Sequence, residues 1–196
     1  MNWLKLQERM KAYMIPIAGV LTLLAIWFIF FRGSSSSGIL TQQEFEDKLK
    51  EMSNGKIVIS DAKIKMYESE DGGLYTANWN GFTISSRVDK GKKLDRTFSV
   101  ITKQAGYMDE IAIGQYHDLV VYLTRLSNEK MTVDEANVLI DTGLNFNQQI
   151  TTGEKHETSK GDLYYSLSGG KKDINFFSFL IMDEDGHKRV TKPNEK

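Results

Sequence analysis

The feature that most limits this chain is MIPIAGVLTLLAIWFIFF, eighteen residues from Met14 to Phe31 without a charged side chain. Only Pro16, Gly19 and Thr22 fall outside the hydrophobic set. At ~1.5 Å per residue a helix of this length extends roughly 27 Å, close to the ~30 Å hydrocarbon core of a bilayer. Buried core helices keep a polar face, and this run has none, so the expectation is a single transmembrane helix, residues 14–31. Pro16 falls in its first turn, where a missing N–H costs least.

A secretory signal peptide has a shorter apolar region and a small-residue cleavage site. This run instead ends in Trp27, Phe28, Phe30 and Phe31 and is closed by Arg32, the pattern of an uncleaved signal-anchor; cleavage within the following serines is the alternative. Lys5, Arg9 and Lys11 flank it on one side, whereas after Arg32 no base occurs until Lys48. The positive-inside rule then places residues 1–13 in the cytoplasm and exports the remainder. Trp3, Leu6 and Met10 recur at helical spacing, which suits either an interfacial helix on the inner leaflet or an early start of the membrane helix. So short a tail leaves no room for a cytoplasmic catalytic or DNA-binding domain.

Residues 32–38, with the low-complexity stretch GSSSSG, read as a flexible linker. The 158 residues from Ile39 to Lys196 hold 21 of the 25 Lys+Arg and 25 of the 26 Asp+Glu, a net charge of −4. The near-neutral balance of the whole chain, net charge −1 with a pI near 6.3, argues against nucleic acid as a partner, since phosphate neutralisation needs a surplus of bases. The absence of cysteine excludes disulfides, thiolate metal sites, Cys nucleophiles and a thioether lipid anchor.

The exported part has the pattern of an α+β domain. Thr41-Gln42-Gln43-Glu44 fits a capping box, with Leu40 placed to staple onto Phe45. Phe45, Leu49 and Met52 make the buried stripe of a helix that stops at Asn54-Gly55. Ile57 to Tyr67 reads as a strand with a bulge near Asp61. Leu74–Trp79 and Phe82–Val88 read as strands joined by an Asn80-Gly81 hairpin turn, and Lys90-Gly91-Lys92 turns the chain into Leu94–Ile101. Together these make a four-stranded antiparallel meander. Ala112, Tyr116, Leu119, Leu123 and Leu126 line a helix from about Asp109 to Ser127. Thr132–Glu135 is a second capping box, opening a helix with Ala136, Leu139 and Ile140 inward and Gly143 as its C-terminal cap. A polar strand near Gly153–Thr158, a strand Leu163–Ser168 and a Gly169-Gly170 turn follow. The run Ile174–Met182 is apolar on both faces and should be a central strand covered by helix. The expected architecture is an antiparallel sheet, meander plus C-terminal strands, packed by about three helices on one face. Gly73-Leu74-Tyr75 and Asp162-Leu163-Tyr164 hint at an internal duplication, a match short enough to arise by chance.

Motifs that carry chemistry are absent. His117, His156 and His187 lie far apart with no metal-ligand spacing. Asp183-Glu184-Asp185-Gly186 lacks the preceding oxygen ligand of an EF-hand, because Ile181 stands there, and reads as a type I turn. Glu68, Glu70 and Asp71 form an acidic turn, but adjacency in a turn does not bring two acids across a cleft. No G-x-S-x-G, Walker or G-x-G-x-x-G sequence occurs. The basic turn Lys90, Lys92 and Lys93 with Arg96 suits anionic lipid or wall polymer, or simple solvation and protection of a strand edge. Tyr75, Trp79, Tyr164 and Tyr165 divide between core and the opposite sheet face. No catalytic, cofactor-binding or metal-binding residue is therefore assigned, and no cofactor is expected.

In layout the chain resembles the small single-pass exported proteins of Gram-positive bacteria and their mobile elements, which carry a compact α+β domain on a membrane stalk. A resemblance of organisation implies a setting and supplies no functional residues. The expectation is a non-enzymatic, membrane-tethered extracytoplasmic module. Its partners would be membrane lipid through residues 14–31 and another envelope or membrane protein, as in a secretion, conjugation or cell-envelope complex. The alternatives are an extracytoplasmic hydrolase of wall or peptide substrates and a ligand-sensing domain.

Overall fold

A computed structural model describes residues 39–68, 72–102, 109–169 and 177–191. The expected membrane helix 14–31, its basic flank, the linker, Glu70, Asp71 and Gly170 lie outside the described residues. Strand β1, Leu40–Thr41, leads directly into helix α1, Gln42–Met52. Strands β2 (Ser60–Met66), β3 (Gly72–Trp79), β4 (Phe82–Asp89) and β5 (Lys93–Thr102) follow as the expected meander. Helices α2 (Glu110–Ser127) and α3 (Val133–Val138), a π-helical turn (Leu139–Gly143) and helix α4 (Phe146–Thr152) come next. Strands β6 (Lys155–Lys160), β7 (Leu163–Ser168) and β8 (Ser178–Met182) complete the sheet.

The sheet runs β2-β3-β4-β5-β8-β7-β6, antiparallel throughout, with β1 paired to the start of β5. Two meanders therefore meet at β5 and β8. Tyr75, Ser86, Phe98, Ile181 and Tyr165 oppose one another in a single rung across five strands. Because side chains alternate along a strand, this register puts Tyr75, Ala77, Trp79, Ile84, Phe98, Val100, Phe179, Ile181, Tyr165 and Leu167 on one face. All of them belong to the main core with the helices. Phe45 of α1 stacks on Phe98 with ring centroids 5.3 Å apart and meets Tyr75 edge-on at 5.4 Å. Tyr116 of α2 packs 5.4 Å from Phe82 and 6.2 Å from Phe146.

Local signals place the element ends. Both capping boxes form: Glu44 N–H donates to Thr41 Oγ1 at 3.3 Å, and Thr41 N–H donates to Glu44 Oε2 at 2.7 Å. Thr132 and Glu135 repeat the exchange at 2.9 and 3.2 Å. Helix α2 starts one residue inside the expected boundary because Asp109 is its N-cap, accepting from Ala112 N–H at 2.8 Å. Asn54 and Gly55, at φ 51° and 77°, end α1, and Asn80 and Gly81, at φ 45° and 84°, make the left-handed pair that a twisted two-residue hairpin needs. The bulge near Asp61 is present as a register shift between Ser60 and Lys63.

Five expectations are corrected. Strand β2 begins at Ser60, since Ile57 is buried in the connection and its N–H is held by Ser53 Oγ at 3.0 Å. Gly143 does not cap its helix: the chain widens into the π-helical turn, Leu144 N–H donates to Leu139 O at 2.9 Å, and Asn145 takes the left-handed conformation. Helix α4 was not expected, because its sequence FNQQITT is polar apart from Phe146 and Ile150. Asp183–Gly186 is no closing turn, since helix α5, Glu184–Thr191, starts within it. Acidic residues at its first turn and Lys188 and Arg189 in its last suit the helix dipole. The described residues thus hold five helices and a π-helical turn where about three helices were expected. All of α5 but its first residue falls in a separate compact unit from the sheet domain.

Candidate functional site

Three surfaces of the sheet domain gather chemistry. The first joins α2 to the π-helical turn. His117 Nε2 lies 2.8 Å from Asp141 Oδ1, and its ring sits edge-on to Phe146 at 4.9 Å. Asp141 is inside the π-helical turn, an irregularity found often at functional positions. The imidazole is 23% exposed, so solvent reaches it. Twenty-four residues separate the two partners, and the carboxylate that meets the ring nitrogen sits within the irregular π-helical turn, which no sequence period reveals. Among the described residues the hydrogen-bond partner of this imidazole is the Asp141 carboxylate.

The second surface is the end of the sheet where β5 begins. Ile39 N–H donates to Leu94 O at 2.7 Å, and Thr41 opposes Lys93, so the chain leaving the serine linker joins the sheet beside the basic turn. That turn is tightly built: Lys92 has φ 60°, its N–H donates to Asp89 O, and Lys93 N–H donates to Asp89 Oδ1, both at 2.9 Å. Lys90, Lys92 and Lys93 are all exposed. Arg96, grouped with them in sequence, instead bonds Asp162 on the β6–β7 turn. That hydrogen bond holds the Asp162 carboxyl below its usual range and the guanidinium above its own.

The third surface is the sheet face away from the helices. Ser85, Ser99, Leu180 and Ser166 form one rung across four strands there, with Thr97, Ile101, Ser178 and Met182 around them. Ile101, Leu180 and Met182 are buried yet stand apart from the main core. The sequence SFLIM of β8, buried at every position, is the local sign of this second buried layer, while Ile174 to Phe176 of the expected strand lie outside the described residues. The two outer strands are protected against further pairing: β2 carries Lys63 and Lys65 beside its bulge, and β6 is KHETSK with Lys155 and Lys160 in ion pairs.

The other residues singled out from sequence stay apart. His156 lies on β6, 4.0 Å from Glu154, and His187 lies on α5. Glu68 is exposed beside the start of β3. Tyr75, Trp79 and Tyr165 are core, and only Tyr164 is on the opposite face. Burial pushes the Tyr165 hydroxyl up to about 12. Among the described residues no group of three or more His, Asp or Glu side chains is arranged to hold a metal ion, and no helix is long and apolar enough to cross a membrane. No protein-family model, no curated protein and no solved structure matches the chain.

Proposed function

We propose that the chain is a single-pass, membrane-anchored interaction module, with residues 14–31 in the bilayer and the α+β domain on the extracytoplasmic side. The observation that carries this reading is the uncharged eighteen-residue run, followed after a short linker by a domain whose first strand is already paired. Tethering raises the local concentration of a weakly binding domain beside membrane partners, so an anchor is useful without catalysis. Guarded outer strands disfavour strand addition, so the partner, another envelope or membrane protein, engages side-chain surfaces. Crosslinking followed by affinity purification from gently solubilised membranes is expected to recover a stoichiometric protein partner. Recovery of none, together with substrate turnover by the purified chain, would refute the reading.

The second reading is an extracytoplasmic hydrolase, and the His117–Asp141 pair on the π-helical turn is the observation that favours it. Its test is His117→Ala: loss of a measurable hydrolytic activity with partner capture intact would establish the enzyme, whereas loss of partner capture would place the pair in the binding surface.

A further inference from the structure

We propose that the turn Lys90-Gly91-Lys92-Lys93 rests on the anionic headgroups of the membrane that anchors the chain and so fixes which end of the domain faces the bilayer. This inference rests on the membrane-anchoring reading above. Four observations converge on it.

The described chain begins at Ile39, whose N–H is bonded to Leu94 O, and Thr41 opposes Lys93, so the tether enters the sheet immediately next to the basic turn. Only residues 32–38 separate the end of the apolar run from that point. Seven residues span at most about 25 Å whatever their conformation. The domain end carrying the turn is therefore held within that reach of the surface, whereas α1 runs away from this end for eleven residues, about 16 Å along its axis, before the chain arrives at Lys56.

The turn is also chemically suited. Among the described residues the ammonium groups of Lys90, Lys92 and Lys93 make no ion pair, while neighbouring cations are committed: Arg96 to Asp162 and Lys160 to Glu135. The carboxylates nearby are largely engaged in holding backbone. Asp89 bonds the Lys93 N–H, and Glu44, which feels Lys93, is bound to Thr41. Acids oppose the contact as well: Glu68 is exposed on the adjoining turn, whose sequence also holds Glu70 and Asp71, and Asp183 and exposed Glu184 follow β8 at the same end of the sheet. Finally, the left-handed φ of Lys92 fixes the turn's shape, so three exposed cations are presented without ordering a loop. Clustered lysines near an anionic surface gain from its negative potential within about a Debye length, ~8 Å at physiological salt.

The test uses the full chain in lipid nanodiscs, made either of phosphatidylcholine alone or with about a third phosphatidylglycerol, and measures acylation of each lysine by mass spectrometry with an uncharged amine reagent. A negative surface keeps an amine protonated and unreactive, so Lys90, Lys92 and Lys93 should react about fivefold more slowly in the anionic discs. Lys56 should react equally in both. Inserting about twenty Gly/Ser residues after Ser36 should abolish the difference while leaving every lysine in place, because local concentration falls with tether length. Equal rates for the three lysines in the two discs would overturn the proposal, as would equal slowing in both, since neither involves headgroup charge. A chain that elutes apart from the discs would instead refute the anchoring itself.

Discussion

Tyr116→Phe should stabilise the domain, although it deletes a polar atom from the centre of the core. Tyr116 is fully buried on α2, ringed by Phe82, Phe146 and Phe177 at 5.4, 6.2 and 6.4 Å between centroids. Its hydroxyl has no hydrogen-bond partner among the described residues, and burial pushes its pKa well above the ordinary value. A buried hydroxyl without a partner forfeits its bonds to water, a cost of about 1–3 kcal/mol. Phenylalanine keeps every ring contact and leaves a void of a single oxygen, whose lost packing returns part of that gain. The net expectation is a stabilisation of about 1 kcal/mol, or a rise in Tm of roughly 2–4 °C for a domain of this size. Urea unfolding of the full chain in mild detergent, followed by circular dichroism, would read it as a raised midpoint at constant slope. A loss of about 1 kcal/mol or more would refute the reasoning, showing that the hydroxyl is satisfied by an enclosed water.

Two glycines should respond oppositely to alanine. Gly114 lies within α2 with open space where a Cβ would stand, so Gly114→Ala should add about 0.5–1 kcal/mol. At Gly169 the new Cβ would lie 2.5 Å from Gln149 O and 2.9 Å from Gly153 Cα, so Gly169→Ala should cost about 3 kcal/mol, both read from the same unfolding curves. Glu135 is held down to about 2 by the Thr132 backbone N–H first, then by Lys160 and the Thr132 hydroxyl. A carboxylate depressed in the folded state contributes fully above its unfolded value of 4.5 and loses that contribution as pH falls toward 2. Glu135→Gln should therefore flatten the dependence of Tm on pH between those limits, and an unchanged slope there would contradict the capping role. The Arg96–Asp162 pair is exposed, so a double-mutant cycle should give a coupling below about 1 kcal/mol.

What the sequence revealed was whatever is settled within a few residues. Thr41/Glu44 and Thr132/Glu135 advertise helix starts because the reciprocal bonds span three positions, and Asn80-Gly81 advertises a hairpin because its backbone needs two left-handed residues. The alternation of Leu163–Ser168 fixed that strand's limits as well. Contacts made across the chain stayed hidden. The pairing of Leu40–Thr41 with Leu94 and Lys93 involves only two residues, too few to form a pattern. Helix α4 is held by tertiary burial of Phe146 rather than by its own polar sequence. The His117–Asp141 pair depends on one extra residue in a helical turn, and His117 alone gives no sign of it. The basic turn was visible from the start, but its position beside the arriving tether appears only once β1 is paired with β5.

Topology tests the central claim most directly, and the absence of cysteine makes it simple. Val58 is 59% exposed in the connection between α1 and β2, so Val58→Cys would carry the chain's single thiol. A membrane-impermeant maleimide applied to intact cells, or to spheroplasts where an outer membrane intervenes, should label this position as fully before lysis as after. Labelling that appears only once the cells are broken would contradict an anchored domain facing away from the cytoplasm.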